Sequence, residues 1–256
     1  MNTYNKYSFE ILQLAKQAGS LIMEKYKSLP DVLYKNDKSP VTEADIAANK
    51  LIVSSLQKIT PNISIISEEN SEEENKSALI NAKDSFWLID PLDGTKSYIN
   101  KTGEFTVNIA LVQGGIPIGG VIYIPAKGIA YFTNEDKAFK QDGNKNPLQI
   151  KARKPPKNTI IVVASKSHMT HNTQQYIDNL GTELKLISAS SSLKFCMVAE
   201  GKADIYPRFG NTMEWDTAAG HAILIKAGGS VLSPDGDNLL YGKQGFVNSF
   251  FIAKGL

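Results

Sequence analysis

Two aspartates three positions apart close an apolar run and lead straight into a glycine and a threonine, in Trp87-Leu88-Ile89-Asp90-Pro91-Leu92-Asp93-Gly94-Thr95. Carboxylate oxygens hold hard divalent cations. Backbone amides left free at the start of a helical turn hold phosphate. A buried strand over 86–89 that ends in carboxylates and is followed by such amides suits metal-assisted phosphate chemistry. Asp-Pro and Asp-Gly are also ordinary turn formers, so the stretch by itself leaves a structural role open. Spacing weighs against one neighbouring chemistry. Aspartyl-phosphate enzymes need an aspartate two before the second one, and here that position is Pro91, which has no nucleophile. Water, not an aspartate, is the expected attacking group.

Other acidic residues must converge on this turn. Glu68-Glu69 follow the apolar residues 63–66. Asp45 sits in Pro40-Val41-Thr42-Glu43-Ala44-Asp45, and Asp216 sits in Glu214-Trp215-Asp216-Thr217-Ala218-Ala219-Gly220. Each has a structural alternative. Thr42-x-x-Asp45 has capping-box spacing, and an aspartate at a helix start is commonly a cap. Taken together, the set resembles the inositol monophosphatase superfamily of magnesium-dependent, lithium-sensitive phosphatases. Within it the chain is most similar to the 3'(2'),5'-bisphosphate nucleotidase branch of the bacterial CysQ type, from residues 39–45 to the Trp215 helix.

The resemblance implies roles residue by residue. Glu68 and Asp90 with the Leu92 carbonyl would hold one Mg2+, and Asp90, Asp93 and Asp216 a second; a third, weaker ion is common in the family. Asp45 and Thr95, beside Glu68, would orient the attacking water. The phosphate would lie against Gly94 and Thr95, with Glu68, Leu92, Asp93 and Asp216 around it. Glu69 would support Glu68. In the second half, Ser165-Lys166-Ser167-His168, Ser191-Leu193-Lys194 and Tyr206-Pro207-Arg208-Phe209-Gly210 resemble the nucleotidase branch. His168, Ser191, Lys194 and Arg208 would then contact the nucleotide. Lysine and arginine suit a second phosphate. Lys194 as a solvated helix residue, His168 as a loop cap and the serine run 188–192 as a helix start remain the structural alternatives. Trp215, His171 and His221 read as structural.

The elements that must position these residues follow from periodicity. Ile11, Leu14, Ala15, Ala18, Leu21, Ile22 and Tyr26 recur at helical spacing, so the start of the chain is an amphipathic helix ending before Pro30, not a signal peptide. A second helix begins near Thr42 and runs to about Ile59, before Pro61. Residues 70–84 are polar and read as a solvated loop or loose helix. Strands are expected over 104–112, 116–124, 128–133 and 138–141, as an antiparallel meander with helices gathered on one side. The basic, proline-rich stretch 151–157 divides the chain into 1–150, an α+β metal-binding half, and 151–256, an α/β substrate-recognition half. In the second, strands at 159–165, 184–188, 203–208, 229–232 and 246–253 alternate with helices at 172–180, 191–200 and 216–227. The expected fold class is mixed α+β and α/β, a sugar-phosphatase-like α/β/α/β/α sandwich.

Composition sets the limits. The 256 residues are 42% hydrophobic and 21% charged with a net charge of +2, an ordinary globular balance without the basic field that nucleic-acid polymers demand. The single cysteine, Cys196, excludes an internal disulfide framework, fits a reducing compartment and reads as core. No run approaches the roughly 18 apolar residues of a membrane span. A cytoplasmic location is expected; peripheral attachment to the membrane face is compatible with the sequence but not required by it. Oligomeric state is not specified.

The resemblance implies hydrolysis of adenosine 3',5'-bisphosphate to AMP and phosphate, with magnesium and a small phosphorylated nucleotide as cofactor and partner. The setting this implies is sulfate assimilation. The nearest alternative is the same metal chemistry on inositol monophosphate or a sugar bisphosphate. An alternative of another class is a non-catalytic nucleotide-binding regulator, against which the complete set Asp45, Glu68, Asp90, Asp93, Thr95 and Asp216 argues.

Overall fold

The computed structural model describes residues 3–28, 32–35, 39–156, 158–165, 169–181 and 183–256. Helix α1 (Thr3–Tyr26) buries Ile11, Leu14, Ala15, Ala18 and Ile22 along one stripe, as its periodicity requires. A short antiparallel hairpin, β1 (Val32–Tyr34) and β2 (Pro40–Thr42), had no clear sequence signal. It leads into α2 (Glu43–Ile59), where Thr42 and Asp45 form a full capping box. Strand β3 (Ser64–Ser67) precedes α3 (Glu72–Asn81). The polar stretch is thus a regular helix, because Ser71 and Glu74 close a second capping box; the glutamates at 72–74 are exposed.

Strand β4 (Ser85–Asp93) and the short helix α4 (Thr95–Ile99) carry the organising motif. Strands β5 (Thr106–Gln113), β6 (Ile116–Ile124), β7 (Ile129–Asn134), β8 (Lys137–Asp142) and β9 (Leu148–Ile150) follow. The seven strands from β3 to β9 form one sheet in sequence order, parallel only between β3 and β4.

The rest of the chain supplies β10 (Thr159–Ala164), α5 (His171–Asp178), β11 (Glu183–Ser188), α6 (Leu193–Ala199) and β12 (Ile205–Arg208). It ends with α7 (Glu214–Lys226), β13 (Ser230–Leu232) and β14 (Phe251–Lys254). Its five-stranded mixed sheet has the order β11-β10-β12-β14-β13. The strand expected from 246 begins only at Phe251. Asn248 is instead tied to the start of α7, its amide donating to the Met213 carbonyl and Thr217 Oγ1.

Helices cover the seven-stranded sheet on both faces, not on one as expected. On β4, Trp87 and Ile89 point into a core shared with α1 and α2, while Phe86 and Leu88 point into a core containing Ala218, Ala219 and Ile223 of α7. Strands apolar on both faces need cover on both. Helix α7 supplies the second cover from the far half of the chain. Gly120 on β6 makes its close approach possible, since a Cβ there would come within 2.8 Å of Ala219 Cα. Cys196 lies in this core. The other face of the five-stranded sheet meets α5 through Val162, Ala164 and Ile177. The result is a stack of alternating helical and sheet layers. Among the described residues, no helix is long and apolar enough to cross a membrane.

Candidate active site

Strand β4 does not stop at Ile89. It continues through Asp90 and Pro91 to Asp93, with a register shift against β5: Asp90 lies opposite Asn108 and Asp93 opposite Thr106. Three steps on β4 therefore match two on β5. Pro91 has no N–H to give to a ladder, which favours such a bulge. In a regular strand, residues three apart face opposite sides. The extra residue turns both carboxylates toward α7, and the Asn108 amide reaches Asp93 Oδ2 at 3.3 Å.

The parallel partner β3 brings Glu68 beside this bulge, its amide donating to the Ile89 carbonyl at 3.1 Å. The first turn of α7 brings Asp216, whose Oδ2 accepts the Met213 amide at 2.9 Å. Carboxylate oxygens of Glu68, Asp90 and Asp216 all lie within 4.8 Å of one another. Burial, followed by the charges of Glu68, Asp93 and Asp216, holds the Asp90 carboxyl far above the usual carboxylate range. Asp216 is raised in the same way, by burial and then by Asp93 and Glu68. Carboxylates this crowded ionise together only beside a cation. Asn108 also carries a buried Oδ1 with no partner. An all-oxygen donor set under mutual repulsion, next to an unsatisfied oxygen, fits a hard divalent ion such as Mg2+.

Lys35, at the end of β1, supplies a protein cation to the cluster. Its Nζ lies 3.1 Å from Glu68 Oε1 and 2.7 Å from Glu69 Oε1. Glu69 thus pairs with a lysine beside the cluster, and burial pushes its carboxyl up to about 7.

Asp45 has two engagements. One oxygen closes the α2 capping box through the Thr42 amide, at 2.8 Å. The other accepts the Thr95 hydroxyl at 3.3 Å. Burial raises the Asp45 carboxyl above its ordinary range. Thr95 opens α4 after Gly94, which adopts the left-handed φ of 95° that suits glycine. The Leu92 carbonyl, 3.4 Å from Thr95 Oγ1, lies between the two aspartates of the bulge.

Glu68, Asp93, Gly94, Thr95, Ser191, Lys194, Arg208 and Asp216 all line one cleft of about 310 Å3, together with Ser192 and Tyr206. Asp90 and Leu92 are buried behind it. Lys194 is not a solvated helix residue: it is buried, its Nζ donates to the Ser191 carbonyl at 2.5 Å, and it lies 5.2 Å from the Tyr206 ring centroid. Burial lowers its ammonium to about 8. Ser191 does not begin a helix; it has a left-handed φ of 49° and a buried hydroxyl without a partner. Arg208 donates from Nη2 to the Asn211 carbonyl at 2.7 Å, and its buried Nε is unpartnered. His168 lies outside the described residues. Trp215 packs on Phe246, and His221 is buried against Tyr241.

Sequence reasoning missed Lys35, Asn108 and Ser192. Asn108 had a signal, as an amide in the middle of an apolar strand. Ser192 was hidden in a serine run, and Lys35 among scattered surface lysines.

The inositol monophosphatase family model matches residues 5–252. A 3'(2'),5'-bisphosphate nucleotidase CysQ of Buchnera aphidicola is 44% identical, the match covering 100% of this chain and 96% of the relative. CysQ of Escherichia coli K12 is also 44% identical, over 94% of this chain and 97% of its own. The crystal structure of CysQ from Bacteroides thetaiotaomicron superposes with a TM-score of 0.84 at 38% identity, covering 99% of this chain and 98% of that one. Matched from end to end in sequence and in fold, the chain belongs to the inositol monophosphatase family.

Proposed function

We propose that this chain is a magnesium-dependent 3'(2'),5'-bisphosphate nucleotidase that releases the 3'-phosphate of adenosine 3',5'-bisphosphate, giving AMP and inorganic phosphate. One observation carries the reading: a single cleft holds a carboxylate cluster on one wall and Ser191, Lys194 and Arg208 on the other. The first wall suits a scissile phosphate with its cations, and the cationic side chains of the second suit a further anionic group of the same ligand. The full-length similarity to CysQ nucleotidases points to the same substrate class. By-products of sulfate assimilation are the implied setting.

Glu68, Asp90, the Leu92 carbonyl, Asp93 and Asp216 would hold two to three Mg2+ ions, which when bound would supply Lewis-acid charge for attack by water on phosphorus. The chain's own groups do the rest. Thr95 orients the water, and its hydroxyl passes the water's proton on to the Asp45 carboxylate behind it. The Gly94 and Thr95 amides hold the phosphoryl oxygens. As the new P–O bond forms, the bond from phosphorus to O3' breaks and O3' takes a proton from a solvent water. Lys194 and Arg208 fix the 5'-phosphate, and Ser191 the sugar edge beside it.

The test is phosphate release from adenosine 3',5'-bisphosphate, inositol 1-phosphate and fructose 1,6-bisphosphate side by side, with Mg2+ and with chelator. A magnesium-dependent preference for the nucleotide supports the assignment. Preference for inositol or sugar phosphate overturns the reading of the Lys194–Arg208 wall and leaves the metal cluster standing. No release from any substrate brings forward the binding-protein alternative.

A further inference from the structure

Asp93 is gripped on one oxygen only. Its Oδ2 accepts the Ser192 hydroxyl at 2.7 Å, the Ser192 amide at 2.8 Å and the Asn108 amide at 3.3 Å. Three donors exhaust what a carboxylate oxygen accepts well. Among the described residues, no hydrogen bond reaches Oδ1. The Asn108 amide also donates to Ser192 Oγ at 2.7 Å. That fills a lone pair of the hydroxyl and directs its single proton outward. Outward lie Asp93 Oδ2 and the Asp216 carbonyl, the latter at 3.0 Å. Ser192 is 2% exposed and Asn108 0%. Water therefore does not compete for these bonds, and their geometry is held.

We infer that Ser192, oriented by Asn108, is a positioning residue that locks the Asp93 carboxylate so that Oδ1 alone is presented to the divalent ion. The brace crosses the molecule. Asp93 and Asn108 come from the seven-stranded sheet, Ser192 from the lead-in to α6, and Asp216 from α7. One hydroxyl thus ties a candidate ligand of the first half to the backbone of a candidate ligand of the second. Without it Asp93 is free to rotate, and the ion loses a preorganised ligand.

This inference rests on the proposed function only for its choice of ion, so the probe is the metal alone. Mn2+ binding to the full chain is followed by electron paramagnetic resonance of the free ion, with Mg2+ as competitor and no nucleotide present. Ser192→Ala is expected to weaken binding about 10-fold, the usual scale for a lost partner of a metal ligand. Asn108→Ala is expected to weaken it in the same direction by less. The double variant is expected to lose less than the product of the two single losses, because both residues hold the same Asp93 oxygen and are bonded to each other. At saturating Mg2+, kcat of Ser192→Ala should return to within a few-fold of the parent. Affinity within twofold of the parent in Ser192→Ala overturns the inference, as does a double-variant loss equal to the product of the single losses. Should Ser192→Ala fail to fold, as read by its melting curve in chelator, Asn108→Ala decides the question, unchanged affinity overturning the inference. A parent chain that binds Mn2+ but does not turn over nucleotide would overturn the proposed function and leave the brace intact.

Discussion

The Thr95 hydroxyl donates to the Asp45 carboxylate at 3.3 Å, joining the start of α4 to the first turn of α2. The same carboxylate caps its own helix through Thr42. Asparagine at 45 keeps an oxygen for one of these bonds but cannot accept a proton. Asp45→Asn is therefore expected to lower kcat/KM by about 10²–10⁴-fold while costing about 1 kcal/mol or less in urea unfolding. Thr95→Ser should keep most activity and Thr95→Ala should not. Steady-state rates and a urea titration on the three variants check both halves of the statement.

Asp90 offers a case in which stability and activity move apart. Its carboxyl is buried among Glu68, Asp93 and Asp216, and among the described residues the Leu92 amide, at 3.0 Å, is its hydrogen-bond donor. Asp90→Asn keeps an acceptor for that amide and removes a charge from the cluster. In chelator the variant should be more stable than the parent by roughly 1–2 kcal/mol. It should lose most of the melting-temperature rise that Mg2+ gives the parent, and turnover should fall by about 10²-fold or more. Thermal melts with and without Mg2+ measure this directly.

Lys194 predicts a pH dependence in ligand affinity. Burial lowers its ammonium to about 8, so at neutral pH it is charged and above that value the charge is lost. AMP inhibition should therefore weaken between pH 7 and pH 9.5, a range in which the AMP phosphate keeps its charge because its second pKa is about 6. Lys194→Met should bind AMP less tightly at pH 7, by about 1.5–3 kcal/mol, and show little further loss at high pH. A parent profile flat across this range would remove Lys194 from the nucleotide wall.

His221 predicts acid lability. Burial pushes its imidazole down to about 4, and its Nδ1 lies 3.1 Å from the Tyr241 hydroxyl. The folded pKa is below the unfolded value of about 6.5. Its stabilising contribution is thus complete above about pH 6.5 and is lost as pH falls toward 4, to a total of about 3 kcal/mol. His221→Gln should flatten that part of the stability profile. Urea unfolding at pH 4.5 and 7 compares the two chains.

Much of this site was legible because its residues punctuate strong periodic signals. Asp90 and Asp93 interrupt an apolar strand, Thr42 and Asp45 stand at capping spacing, and Lys194 and Arg208 sit in stretches that resemble a known branch. Tertiary features were not legible in this way. Pro91 hinted at a break but could not say that β4 continues as a bulge. The helix over 72–81 was concealed by its polarity, since its boundaries rest on the Ser71–Glu74 caps and not on an apolar stripe. The expectation of helices on one face failed because the cover for the other face comes from α7, more than a hundred residues later. Lys35 and Ser192 acquire their meaning only from what the fold places opposite them.

Gly120 bears no chemistry, yet the contact of its bare Cα with Ala219 sets how near α7 may lie to the sheet. Asp216 rides on that helix and Asp90 on that sheet. The glycine is therefore a gauge block for the catalytic gap, fixing from the core the distance between carboxylates it never touches. A methyl group there would act as a shim under α7, and a misplacement of about an ångström is enough to cost such a site a hundredfold in rate.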